Sequence, residues 1–286
     1  MKKIIITLLL ATICCYINLS CHKIPFPHKK TCQVKSIQYN YQNKQTHLLY
    51  SYSNKRLLTS IAGHSSIDPV VPAITNITYD NHGKPTGGKN FNNTTYKLIY
   101  EDDRVVRIDY LGADNLYHLQ FTYVYDSLDR IRERIAANGG TLRWEYEGTS
   151  HNFTRMFELY FLRPGRPIEL FAMHTYEYDD KVNPWSTWPN ISLNPYYFEL
   201  IRGAIWEHMP IPENNITLYT YYPTLRGLPL KSDEFFYTYQ YDGNYPVTQD
   251  FLRVVHNPFN GAVDSTRGVN YYSYDCAGGN SQHGNK

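Results

Sequence analysis

The side chains best equipped for chemistry in this chain are carboxylates. Glu101, Asp102 and Asp103 crowd one short polar stretch, and Asp179 and Asp180 another. Two carboxylates across a cleft suffice for glycoside hydrolysis. In turns, the same side chains hydrogen-bond nearby backbone and stay solvated. That reading is the simpler one here, so no catalytic residue is assigned. Glu207 and His208 in "WEHMP" are adjacent, and adjacent side chains on a strand or helix point apart. "GHSSI" at Gly63 lacks the second glycine of a nucleophile elbow, and neither His-Glu-x-x-His nor Cys-x-x-Cys occurs. "DNHGKPTGG" at Asp80 spaces too few oxygens for a calcium loop. No metal and no cofactor is expected. Trp185 and Trp188, with Tyr196 and Tyr197, form the densest aromatic group outside the alternating segments. Aromatic planes with polar edges suit sugar faces, so these four are the candidate ligand-binding residues; the alternative is that they staple an irregular segment to a sheet. Trp144 and Trp206 are expected in the core.

The ends of the chain place it in a compartment. "MKKIIITLLLATICCYINLSC" joins two lysines to an apolar run too short to span a bilayer, which is the layout of an export signal. "INLSC" resembles a bacterial lipobox, implying lipidation of Cys21, although Asn18 departs from the usual Leu. Ordinary cleavage near Ser20 is the alternative. The segments are therefore a signal peptide over 1–20, an extended tether over 21–31, one domain over 32–276 and a disordered tail over 277–286. Cys32 and Cys276 bracket that domain and are a disulfide candidate in an oxidising compartment, with two separate buried thiols as the alternative. Such a bond would close a very long loop, for which chain entropy gives about 5 kcal/mol. A net charge of +2 gives no basic surface for a nucleic acid.

The elements that must position any site are hairpins. The chain has 28 tyrosines, a composition suited to pleated, half-buried surfaces. "FTYVYDSLDRIRERI" from Phe121 alternates Phe121, Tyr123 and Tyr125 on one face, turns at Asp126 and Asp129, and returns with Ile131 and Ile135 opposed to Arg130, Arg132 and Arg134. Similar strand, Tyr-acid turn and strand units start at Ile37, Tyr96, Leu142 and Phe236. The pattern predicts an antiparallel meander of repeated hairpins in one extended, curved sheet with one wet side. Two loop-rich stretches interrupt it, one from His64 and one from Asp179 to Thr217. In the second, Asn194, Pro195 and Gly203 predict a short helix over 194–203. The fold class is mainly β, with a helix and loop insertion.

The repeated unit resembles the YD repeats of Rhs-type proteins. The stretches "YEYDDKVNPW" (Tyr176 to Trp185), "ENNIT" (Glu213 to Thr217), "YTYQYDGNYPVTQ" (Tyr237 to Gln249) and "YYSYDC" (Tyr271 to Cys276) resemble Bacteroidetes lipoproteins of unknown function with degenerate YD-like repeats. That resemblance implies an envelope lipoprotein made mostly of antiparallel sheet. His22 and Lys23 after Cys21, in place of acidic residues, favour an outer-membrane position facing the periplasm. The expected function is a non-enzymatic binding or scaffold module whose partners are the membrane, through the lipid, and a glycan or an envelope protein. The alternative is a periplasmic polysaccharide hydrolase using paired carboxylates.

Overall fold

The computed structural model describes residues 32–41, 44–65, 74–90, 93–160, 169–186, 209–225, 228–257 and 260–276. The first strands are β1 (Cys32–Tyr41), β2 (Lys44–Tyr52), β3 (Leu58–Ser65), β4 (Ile74–Tyr79), β5 (Pro85–Lys89) and β6 (Thr95–Glu101). There follow β7 (Arg104–Leu111), β8 (Tyr117–Tyr125), β9 (Ile131–Ala136), β10 (Thr141–Tyr146), β11 (Phe153–Tyr160) and β12 (Glu169–Val182). The last are β13 (Asn214–Leu225), β14 (Leu228–Pro229), β15 (Asp233–Asp242), β16 (Tyr245–His256) and β17 (Val263–Cys276). Each strand pairs antiparallel with the next, except that β13 passes over the two-residue β14 to pair with β15 as well. β17 then pairs with β1.

That last pairing corrects the expected open, curved sheet: without β14, 16 strands form a closed barrel. The reason is physical, since an open sheet leaves two edges of unpaired backbone and closure removes both. No helix occurs among the described residues, so the fold is all-β there. The helix expected over 194–203 lies outside them, as do the segments 1–31 and 277–286.

Most strands bury side chains on one face. Ile37, Leu48, Ile61, Ile108, Trp144, Phe153, Met156 and Tyr219 are 1% exposed or less. The opposite face carries exposed charges at mid-strand, among them Lys97, Arg107, Arg143, Glu145, Arg155, Glu177, Asp250 and Arg267. Apolar-in and charged-out is the reverse of a lipid-facing barrel, whose outer band is apolar. At the seam side, Gly268 lets the Phe251 ring lie on bare backbone: a Cβ there would meet ring carbons at 2.3–2.4 Å.

A single irregularity recurs in seven hairpins. In each, one extra residue bulges the return strand directly after a tyrosine's register position: Tyr52, Tyr79, Tyr100, Tyr125, Tyr146, Tyr178 and Tyr241. In β9 the extra residue is Arg132, so the alternation flips behind it. Arg134, expected on the wet face, pairs with inward Tyr123 and lays its guanidinium over the Phe121 ring at 4.3 Å. Ile135 faces the other way. One inserted residue overturns a strict two-residue period.

A bulge leaves a ladder carbonyl in need of a donor, and the next hairpin's tyrosine supplies it. Tyr79 donates its hydroxyl to the Leu58 carbonyl (2.6 Å), Tyr100 to Pro85 (2.7 Å) and Tyr125 to Val105 (2.8 Å). Tyr146 donates to Ile131 (2.8 Å) and Tyr178 to Phe153 (2.6 Å). The acceptors Leu58, Pro85, Val105, Ile131 and Phe153 are the residues that face Tyr52, Tyr79, Tyr100, Tyr125 and Tyr146 across their own bulges. Tyr52 to Val34, Tyr239 to Ile216 and Tyr274 to Pro246, each 2.8 Å, complete the circuit.

The residue after the tyrosine sets the turn. Asp126 Oδ1 accepts from the Leu128 and Arg130 amides (2.9 and 3.0 Å), and Asp80 Oδ1 from those of His82 and Lys84 (both 2.9 Å). The Lys84 amide holds the Asp80 carboxyl below its usual range. Asp129, at φ 60°, takes the left-handed position that closes the turn.

Replacing Tyr125 with Phe should cost about 1–2 kcal/mol in urea denaturation, because the Val105 carbonyl is left without its donor. Tyr117→Phe, on an exposed ring, should change nothing. Burial pushes the Tyr79 hydroxyl up to about 12 and raises Tyr52, Tyr100, Tyr125 and Tyr146 as well. Folded pKa values above the unfolded value of about 10 mean stability is full below pH 10 and is lost as pH rises towards 12. The urea midpoint should therefore fall between pH 9.5 and pH 11.5, flanking that value of about 10.

Candidate functional site

The circuit loses its regularity in one sector. In the regular hairpins one tyrosine both faces its own bulge and donates to the preceding one. In β15 the tasks are split: Tyr239 donates to Ile216, while Tyr241, two residues on, faces the bulge at Pro246. The Tyr241 hydroxyl is thus free of the circuit. It donates a hydrogen bond to the Asp179 carboxylate and accepts one from Asn215 Nδ2 (3.1 Å). Burial, reinforced by Asp179, raises its pKa. Asp179 also ties the irregular end of β12, accepting from the amides of Lys181 (3.0 Å) and Asn215 (3.2 Å).

Beside this slip lies a recess with a cavity of about 30 Å³, room for about two water-sized groups. Asn183, Pro184 and Trp185 wall it from the segment after β12, Asn215 and Ile216 from β13, and Tyr237 and Tyr239 from β15. Pro246 and Gln249 of β16 and Tyr272 of β17 complete it. Gln249 is buried and bonded at both ends: its Nε2 donates to the Tyr239 hydroxyl (2.7 Å), and its Oε1 accepts from Asn270 Nδ2 (2.7 Å) and Tyr272 (3.0 Å). Behind it, Asn270 is 1% exposed and its Oδ1 has no hydrogen-bond partner among the described residues. The lining is aromatic planes and neutral amides, with no cation.

Of the four expected ligand-binding aromatics, only Trp185 is described, and it is 3% exposed, its ring 5.1 Å from that of Tyr50 on β2. The geometry gives it a packing role, with one edge on the recess. Trp188, Tyr196 and Tyr197 lie outside the described residues, as does Cys21. Cys32 and Cys276 are both disulfide-bonded. Asp102 and Asp103 sit in a turn at left-handed positions, Asp103 pairing with Lys84 (2.7 Å), whereas Asp179 and Asp180 lie in β12 where its register shifts between Tyr178 and Val182, with the Asp180 side chain 88% exposed.

Sequence reasoning passed over the amides. Asn183, Asn215 and Gln249 belong to no motif, yet all ten lining residues fall inside the four stretches that carried the lipoprotein resemblance. It also passed over an interior group in which His174 Nε2 meets Glu158 Oε1 (2.6 Å) and His174 Nδ1 meets the Tyr219 hydroxyl (2.9 Å). All three are at most 4% exposed, so this group braces the core.

No family model and no curated protein matches the chain. Among solved structures it is similar to a porin-like protein of Bacteroides uniformis, with 14% identity and a TM-score of 0.52 over 85% of this chain and 98% of that one. It also aligns with a Photorhabdus luminescens Tc holotoxin pore at 13% identity and a TM-score of 0.29, over 75% of this chain but 13% of that one. The first likeness shows the fold alone.

Trp185→Ala should cost about 3–5 kcal/mol, as for a buried tryptophan. A chemical-denaturation midpoint within error of the parent would remove its packing role.

Proposed function

We propose that this protein is a non-enzymatic cell-envelope module that binds a glycan, a small substituent of which enters the recess beside β15 and β16. The observation that carries the reading is the coincidence of three features there: the slip in the tyrosine circuit, the neutral aromatic and amide lining, and the convergence of the four resembling stretches. Local departures from an otherwise consistent repeat are where function is expected. Sugars are matched by ring planes together with amide donors and acceptors. Commitment of Asp179 to the Lys181 and Asn215 amides and to Tyr241 weighs against an acid or base role and hence against hydrolysis.

In this reading the barrel is held at the outer membrane, periplasm-facing, by a lipid on Cys21. The charged outer wall supports attachment at the membrane over passage through it, because each lipid-facing Arg or Lys at mid-bilayer costs about 2–4 kcal/mol. The porin-like neighbour supports an envelope setting. The YD kinship is supported by the recurring tyrosine and acid turns.

The test is a glycan-array and soluble-polysaccharide screen on the mature chain, repeated with Gln249→Leu. Binding weakened about tenfold or more by the variant, with an unchanged circular-dichroism spectrum, is the expected result, because the variant removes the hydrogen bonds by which Gln249 positions Tyr239 and Tyr272 in the recess wall. A parent that binds no glycan rejects the ligand class and leaves an envelope protein as the partner.

A further inference from the structure

The tyrosine circuit has eight links but only seven bulged hairpins. The eighth sector is the seam between β17 and β1. It has the parts of a hairpin: Tyr274 donates to the preceding bulge at Pro246, Asp275 follows it as Asp126 follows Tyr125, and Val34 accepts from Tyr52 as Leu58 accepts from Tyr79. Where the other sectors have a turn, this one has two disulfide-bonded residues, Cys276 immediately after Asp275 and Cys32 two before Val34.

We propose that Cys32 and Cys276 are bonded to each other, and that this bond is a redox latch that replaces the eighth turn and holds the recess in shape. Hydrogen bonds at this end of the seam include the Cys32 amide to the Tyr245 hydroxyl (3.0 Å), Ser36 Oγ with Ser273 Oγ (2.6 Å) and Arg56 Nη2 to the Asp275 carbonyl (3.0 Å). The seam strand β17 also carries Asn270 and Tyr272, which together hold the Gln249 carbonyl. Loosening β17 therefore releases the recess wall. This link to binding rests on the reading of the recess given above.

The chemistry balances with a dithiol reductant, such as a thiol–disulfide oxidoreductase of the envelope. Its thiolate attacks one sulfur, breaking the bond and forming a mixed disulfide. Its second thiol then displaces the remaining cysteine. Two electrons and two protons end on Cys32 and Cys276, and the reductant leaves as a disulfide.

A peptide map of the unreduced mature chain comes first, then hydrogen exchange of the oxidised protein, the protein reduced with dithiothreitol, and Cys32→Ser/Cys276→Ser. The map should show the two cysteines cross-linked. Reduction should raise exchange about tenfold or more in β1, β17 and the Gln249 segment, while β6 to β9 keep their protection, as expected for opening of one cooperative unit. Either cysteine bonded elsewhere, unchanged β1 and β17 after complete reduction, or equal loss around the ring overturns the latch. A latch signature with no glycan bound by either form rejects the recess reading alone.

Discussion

The structure depends on a hydrogen bond from a tyrosine hydroxyl to the backbone carbonyl of a bulged residue one hairpin away. A bulge bends and twists a strand, which a sheet needs in order to close on itself, but it spoils the ladder where it occurs. In the regular hairpins each tyrosine repairs the damage done in the preceding hairpin and sits opposite the bulge of its own. The links are individually modest, about 1 kcal/mol net, and they are arranged so that each hairpin is fastened to its neighbour as well as to itself. Burial raises the pKa of these hydroxyls, so they remain donors further into the alkaline range.

The barrel shares its fold with a porin-like protein but distributes its residues differently from a lipid-spanning porin. Buried aromatics and aliphatics occupy the inward positions, and charges stand on the outer wall. Phe251 over Gly268 and Trp185 against Tyr50 show how that interior is filled: aromatic rings cover bare backbone and reach from a connecting segment to a distant strand. Strand number and closure therefore describe architecture, and the side chains decide whether it encloses water or a core.

Much of this was legible in the sequence, and the reasons for the rest are specific. The hairpins, their alternation and the turn-setting role of Asp126 follow from period and turn chemistry. The bulge at Arg132 does not, because an extra residue has no composition, and so Arg134 and Ile135 exchanged faces. Closure was hidden for a related reason: β1 and β17 look like any other strands, and nothing in a local pattern says that the first and last will pair. The recess was half visible. Trp185 and Asp179 stood out by type, whereas Asn215 and Gln249 are neutral amides whose meaning arises only when four distant segments meet. The His174 and Glu158 pair lies on adjacent strands 16 residues apart in sequence, so only the register brings it together.

Because the repeated unit runs all the way round, the fold has no structural beginning. The two ends of the barrel, Cys32 and Cys276, occupy one of eight sectors, and the hairpins of the other seven are continuous chain. The order in which the hairpins are strung is thus separable from the ring they make. Joining the present ends through a short turn of the Asp126 type and opening the chain between Leu128 and Asp129, both exposed, gives a circular permutant with the same neighbours around the barrel. In evolutionary terms, such a ring can grow or shrink by whole hairpins and be cut at any of them, provided each new neighbour brings its tyrosine.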